Sequence, residues 1–371
     1  MSGSDKFPVF LDPGTGVKMA RLTRADAIQH HFHHSRRTVT SDGVHLLFYS
    51  YETRHPNLCC LNLESGDLRR LTYRKDICPL AGVITADDLA VLYPAEDSIW
   101  AVSVPDGKET VISRFPGWQV RNMSISPDGH YVCAVMAVEG RSRLVEVDLY
   151  SGGSRVLLDL PRNIGRVQYD PAGKMILFSA DSGSVLFRVG RDGGEETVIY
   201  AQAPGEWLLG GTWLSTEEIL VVKFHDGLYR MDLAGNSRAI FKGPVWHPCV
   251  NPDAGLVACD THAPDMGIVL ISMVTGQWKV LCYPRSSNKG RLWFEPFPGI
   301  APLRGEDVSA GEGEREGTEE TALGPDWTHP CPRFHPDGRH VIFGSDFSGA
   351  THIYCAAIPS EMLAELGAGA G

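Results

Sequence analysis

Two His-Pro-Cys triplets are the residues best placed by type and spacing to do chemistry. One lies in Val245-Trp246-His247-Pro248-Cys249 and the other in Asp326-Trp327-Thr328-His329-Pro330-Cys331. In an extended strand, residues i and i+2 share a face, so His247 is expected to point with Cys249 and His329 with Cys331. Imidazole and thiolate together suit a divalent ion, and the thiolate moves the preference from manganese toward zinc. The ligand set read from the residues is His247, His329 and Cys331, with Asp326 or Cys249 to complete it. The competing reading makes Cys331 an ordinary buried thiol and the histidines turn residues.

A second group is His30-His31-Phe32-His33-His34, followed by Arg36 and Arg37. Histidine titrates near neutrality, so His31 or His33 could serve as a general base or help bind a carboxylate. A solvated basic loop is the alternative. His262, in Cys259-Asp260-Thr261-His262, is a third candidate base. Arg121 and Arg166 occupy equivalent strand starts and could grip an acidic sugar through paired hydrogen bonds. No nucleophile elbow, P-loop or dinucleotide fingerprint is present in the sequence.

These residues need elements to position them, and the chain supplies a repeat. Thr40-Ser41-Asp42-Gly43, Ser126-Pro127-Asp128-Gly129, Asp170-Pro171-Ala172-Gly173, Asn251-Pro252-Asp253-Ala254-Gly255 and His335-Pro336-Asp337-Gly338 each precede an apolar run. Proline presets φ and Asp-Gly supplies the positive φ of a tight hairpin. The spacing of about 40 residues is that of a four-stranded propeller blade. Seven units follow, at roughly 28–72, 80–114, 119–160, 163–200, 208–242, 244–283 and 328–359. The last unit lacks a fourth strand. Val17-Lys18-Met19-Ala20-Arg21-Leu22-Thr23 reads as that strand by its likeness to Leu68-Arg69-Arg70-Leu71-Thr72.

The expected fold is therefore all-β: one seven-bladed propeller over 1–359, closed by an N-terminal strand that completes the last blade. Residues 284–327 read as an insertion between blades 6 and 7, with the Gly/Glu-rich 304–320 disordered, and 360–371 as a C-terminal tail. In such a ring the histidines leading into blades 6, 7 and 1 meet at one end of the channel.

Composition narrows the function. The 371 residues are 43% hydrophobic and carry a net charge of -11, which argues against nucleic acid but not against an anionic sugar in a local Arg/His pocket. No run of 18 apolar residues suggests a membrane span. The nine scattered cysteines and the polar N-terminus MSGSDKFPVF fit reduced thiols in a cytoplasmic protein. Oligomeric state is not legible.

Several stretches resemble the oligogalacturonate lyases: Thr15 to Thr23, the His-rich lead into Thr40-Ser41-Asp42-Gly43, and Thr328-His329-Pro330-Cys331-Pro332 through Ser345-Asp346-Phe347-Ser348-Gly349. The resemblance implies a cytoplasmic seven-bladed propeller that cleaves short pectin-derived uronides by β-elimination. It also implies manganese, held by a Gln-x-x-His-x-His run and a histidine of the preceding blade. The matching positions are Asp326, His329 and Cys331 with His247, so two ligands are kept and two are changed. The stretch where the family carries its base, Leu209-Gly210-Gly211-Thr212-Trp213, has no histidine, and His31, His33 or His262 would have to substitute. Ser179-Ala180-Asp181-Ser182-Gly183-Ser184 is shorter than the family's histidine-rich segment with its arginine. A non-catalytic propeller that binds sugar or a protein, with a structural metal, is the alternative from a different class.

Overall fold

The computed structural model describes residues 6–24, 27–33, 36–53, 55–180, 183–251, 253–262, 264–287 and 328–367. They form seven antiparallel sheets, six of four strands and one of five. Blade 3 is representative: Gln119–Ile125, Tyr131–Val138, Arg141–Asp148 and Ser154–Leu160 pair in sequence order. The first strands of blades 2 and 3, 3 and 4, 4 and 5, and 6 and 7 contact one another, as inner strands around a channel do.

The turn chemistry explains the repeat. Gly43, Gly129, Gly173 and Gly338 adopt φ of 76°, 72°, 67° and 65°, the left-handed conformation that a Cβ disfavours. The preceding polar residue accepts or donates within the turn, as Thr40 Oγ1 does to Asp42 at 2.6 Å.

The hydrophobic core is not one mass but seven clusters, each between consecutive blades. Leu47, Tyr49 and Leu58 of blade 1 pack on Val91, Tyr93 and Val102 of blade 2. Corresponding sets join blades 2 and 3, 3 and 4, 4 and 5, 5 and 6, and 6 and 7. The seventh cluster, with Leu46 and Phe48 against Ile342 and Ile353, closes the ring between blades 7 and 1. Each buried Leu, Ile or Phe contributes about 1.5–3 kcal/mol, so every interface matters and no single one dominates.

Closure follows the expected route. Lys18–Arg21 pairs with His352–Ala357 of blade 7, with Met19 opposite Ala356 and Arg21 opposite Tyr354. Val9–Leu11 then adds a fifth, outermost strand that the sequence reading did not foresee. Three residues long, it leaves only a short edge. Ser360–Glu365 is helical. Residues 288–327, which hold most of the expected insertion and all of 304–320, lie outside the described residues.

One recurrent irregularity bears on the site. The first ladder of blades 3, 4, 5 and 6 shifts register, between Val120 and Met123, Ile164 and Val167, Leu209 and Gly211, and Trp246 and Cys249. In blade 1 the interruption is longer: His31 pairs with Phe48 and pairing resumes only at Val39, opposite Leu46. Bulges re-aim side chains at barrel and sheet rims.

Candidate metal centre

His247 opens the inner strand of blade 6, Val245–Asn251, within the register shift. Its Nδ1 lies 2.9 and 3.1 Å from the two carboxylate oxygens of Asp260, on the next strand of the same blade. Cys331, which precedes the inner strand of blade 7, donates its backbone N–H to Asp260 Oδ2 at 3.1 Å. The ligand atoms of His247, Asp260 and Cys331 lie within 4.8 Å of one another, and all three residues are buried. Nitrogen, oxygen and sulfur donors thus converge from two neighbouring blades.

His329 stands beside this cluster. Its ring is 5.4 Å from that of His247 and 5.5 Å from that of Trp246. Burial, then the neighbouring His247 and His262, push its pKa well below the usual histidine value, so the ring is neutral at pH 7. Trp246 stacks on His247 at 5.3 Å and meets His262 edge-on at 6.5 Å. Trp246, the tryptophan before the first triplet, is therefore a wall of the site on the blade 6 side. Trp327 lies outside the described residues, as does Asp326, so that expected ligand has no described position.

The pairing of His247 with Cys249 expected from strict alternation is corrected by the bulge. His247 faces Asp260, while the Cys249 thiol lies 4.0 Å from the Val250 carbonyl of its own strand. Asp260 takes the place foreseen for Cys249. It was present in the sequence as an acidic residue ending the apolar run Leu256-Val257-Ala258-Cys259. That pattern was the available signal, since a buried carboxylate demands a partner.

The blade 1 histidines divide into two roles. His31 is buried; its Nδ1 lies 2.7 Å from the Phe32 carbonyl and its Nε2 3.3 Å from the Pro330 carbonyl of blade 7. Burial lowers its pKa to about 4, so at neutral pH the uncharged ring donates from Nδ1 to the nearer carbonyl. His31 is held as a seam residue. His33 sits in the excursion 32–38, whose ends are drawn together by Phe32 N–H to Thr38 Oγ1 at 3.4 Å. It is buried, and its pKa lies well below normal because of burial and then the charges of Arg166, Arg36, His247 and Arg333. His33 therefore feels positive charge from blades 1, 4 and 7 and lies within electrostatic reach of His247.

Arg36, also buried, spans three blades. It donates to the Leu80 carbonyl at 2.7 Å, the Met123 carbonyl at 3.3 Å and Asn122 Oδ1 at 2.5 Å. Arg166 acts on His33 from blade 4, with its own backbone N–H held by Ser179 Oγ at 3.1 Å. Arg121 stays with its own strand, where its guanidinium meets Gln119 Oε1 at 2.9 and 3.2 Å. His262 is half-buried, its pKa lowered to about 4 by burial against an opposing pull from Asp260. Arg333, not singled out from sequence, adds positive charge near His31 and His33.

No family model matches the chain. Two curated proteins do: the oligogalacturonate lyase of Dickeya dadantii is 22% identical, over 97% of this chain and 98% of its own length. The oligogalacturonide lyase of Pectobacterium atrosepticum is 20% identical, over 96% and 97%. Among solved structures, an oligogalacturonate lyase in complex with manganese superposes with a TM-score of 0.79 at 21% identity, covering 96% of this chain and 97% of that one. The oligogalacturonate lyase of Vibrio parahaemolyticus gives 0.77 at 21% identity with the same coverage. From its first blade to its last, the chain is similar to the oligogalacturonate lyases and shares their fold.

Proposed function

We propose that the protein is a metal-dependent lyase that cleaves short uronic-acid-containing oligosaccharides by β-elimination. The observation that carries the reading is the buried His247–Asp260–Cys331 cluster, flanked by His329 and reached electrostatically by His33. The donor set fits a divalent ion: three unlike ligand atoms converge within 4.8 Å in a buried place. A relative's structure contains manganese; the thiolate of Cys331 favours zinc in this chain. When bound, the ion supplies positive charge that offsets the uronate carboxylate and makes the adjacent C5–H more acidic.

The chain's own groups supply the remaining work. Arg166, with Arg333 nearby, binds and orients the anionic substrate. His33, kept neutral by burial and then by the neighbouring cations, is the candidate to accept the C5 proton. The C5–H electron pair becomes the C4–C5 double bond, the C4–O bond breaks, and the leaving oxygen takes a proton from solvent. His262 is the second candidate base, at the Trp246 wall. His31 positions the seam and does not react. Arg121, tied to Gln119, contributes to sugar binding at the channel edge only by moving. The nine cysteines form no disulfide with one another, which favours a reducing, cytoplasmic setting. No described helix is long and apolar enough to cross a membrane.

The test is to incubate the protein with oligogalacturonides and other uronides, with zinc or manganese, and follow the ultraviolet absorbance of a 4,5-unsaturated product. Silence across the panel overturns the lyase reading. The second reading, a sugar-binding propeller with a structural metal, is favoured by the lack of a histidine in Leu208–Trp213. Saturable uronide binding without product would establish it.

A further inference from the structure

The turn joining the first two strands of blade 7, His335-Pro336-Asp337-Gly338-Arg339-His340, departs from its counterparts. In blades 1 and 2 a threonine hydroxyl caps the turn aspartate, Thr40 to Asp42 and Thr85 to Asp87, both at 2.6 Å. In blade 7 an imidazole stands in that position and a second follows. His335 Nδ1 lies 3.1 Å from Asp337 Oδ1, and His340 Nδ1 lies 2.7 Å from Asp337 Oδ2. The three ligand atoms fall within 4.8 Å of one another.

The geometry around His335 asks for a cation. Its Nε2 donates to the Gly43 carbonyl of blade 1 at 3.0 Å, which in the neutral ring leaves a lone pair on Nδ1. That lone pair accepts the Asp337 N–H at 3.2 Å while facing the Asp337 carboxylate. Two electron-rich atoms hold this distance only with a positive charge between them, a proton or a metal ion.

We propose that His335, Asp337 and His340 form a second metal site, suited to a borderline divalent ion such as zinc, at the end of the propeller opposite His247. Two imidazoles and a carboxylate are a usual donor set for that ion, with water completing the shell. The two sites flank the short inner strand Arg333–Phe334 of blade 7, with Cys331 before it and His335 after it. The first ligand is fixed in advance. His335 is buried, and a Cβ at Gly43 would stand 2.7 Å from its Cε1, so glycine there leaves room for the ring. Arg339 N–H to Asp337 Oδ1 at 2.8 Å and Gly338 N–H to the His335 carbonyl at 2.9 Å hold the turn. Asp337 is exposed and His340 half-buried, which gives an ion access. Through Gly43 the site steadies the seam where blade 7 meets blade 1, so its ion is structural.

The experiment titrates metal-free protein with zinc against a competing chelator, and with cobalt(II) for its absorption spectrum. His340→Ala and Asp337→Asn are each expected to bind one zinc fewer than the unsubstituted protein and to gain less in melting temperature on zinc addition. Cys331→Ala is expected to keep this zinc while losing any thiolate-to-cobalt absorbance from the other end. Asp337→Asn retains an acceptor for the Arg339 N–H, and His340→Ala leaves that bond and the Gly338 N–H to His335 carbonyl bond in place. Zinc stoichiometry unchanged in both His340→Ala and Asp337→Asn overturns the proposal, as does a single bound zinc that vanishes in Cys331→Ala.

Discussion

Asp260→Asn is the substitution that most directly probes the metal centre. The asparagine keeps the shape and one acceptor oxygen but removes the charge from a carboxylate that engages His247 Nδ1 at 2.9 Å and the Cys331 N–H at 3.1 Å. A hydrogen bond to a charged group contributes about 1.5–3 kcal/mol and a neutral one about 0.5–1.5 kcal/mol. Converting both bonds therefore costs roughly 2–3 kcal/mol. At about 2.1 cal/mol/K per residue, a chain of 371 residues has an unfolding entropy near 0.8 kcal/mol/K, so the melting temperature falls by about 3 °C. The metal effect is larger. Whether Asp260 ligates the ion or only orients His247, losing it lowers affinity by at least 10–100-fold, on the order seen for groups that support ligating histidines. Differential scanning fluorimetry of the metal-free protein reads the first quantity, and chelator competition with zinc and manganese reads the second. An unchanged melting temperature with unchanged metal affinity would refute the idea that Asp260 organises the site.

Other perturbations separate the remaining roles. His33→Ala is expected to lower lyase turnover by about 10²–10⁴-fold with metal affinity intact, read as the rate of unsaturated-product absorbance; full activity removes His33 as the base. Arg166→Ala raises KM for uronides by about ten- to a hundredfold, the effect of a lost charge-assisted bond, and leaves the zinc titration alone. His31 has a folded-state pKa of about 4 against an ordinary 6.5, so the unfolded chain binds more protons between those values. Its contribution is fully present above pH 6.5 and is lost as pH falls toward 4, about 3 kcal/mol in all. Urea melts of His31→Asn, which retains a donor for Phe32, are expected to show a weaker pH slope in that window. Removing residues 1–23 takes away the strand at Lys18–Arg21 and bares the edge of His352–Ala357, and aggregation in gel filtration is the expected result.

The sequence was most informative where one residue type answers one local demand. Asp-Gly and its variants mark turns because glycine takes the positive φ there without strain, and the spacing of five such turns revealed the 40-residue repeat. The closing strand was legible because Val17 to Thr23 resembles the outer strand Leu68-Arg69-Arg70-Leu71-Thr72 of blade 1, and in the fold Met19 is the buried residue of that strand. The metal centre was half legible. His247, His329 and Cys331 announce themselves by type, but Asp260 reaches them across a ladder whose register a bulge has shifted. No periodicity encodes a bulge, so strict alternation aimed Cys249 where Asp260 stands. The excursion 32–38, which carries His33 and Arg36 inward, was hidden for the same reason: it is an interruption of a strand, not a strand.

The backbone explains why this cluster holds its shape. His247 and Cys331 adopt φ of 27° and 45°, uncommon for any residue with a Cβ, and both precede proline, which further restricts them. Such conformations cost on the order of 1–3 kcal/mol each and persist only where surrounding contacts over-determine them. One carboxylate oxygen supplies contacts to both: Asp260 Oδ2 faces His247 Nδ1 and accepts the Cys331 N–H. The strain and its restraint therefore meet in the same three residues. Relaxing either backbone would swing its donor away from the other two, so the restraint that stabilises the strained fold also fixes the donor set in advance. A site arranged before its ligand arrives loses less entropy on binding. For the proposed ion, that economy is what strained pre-proline residues at both blades of the rim would provide over ordinary extended strands.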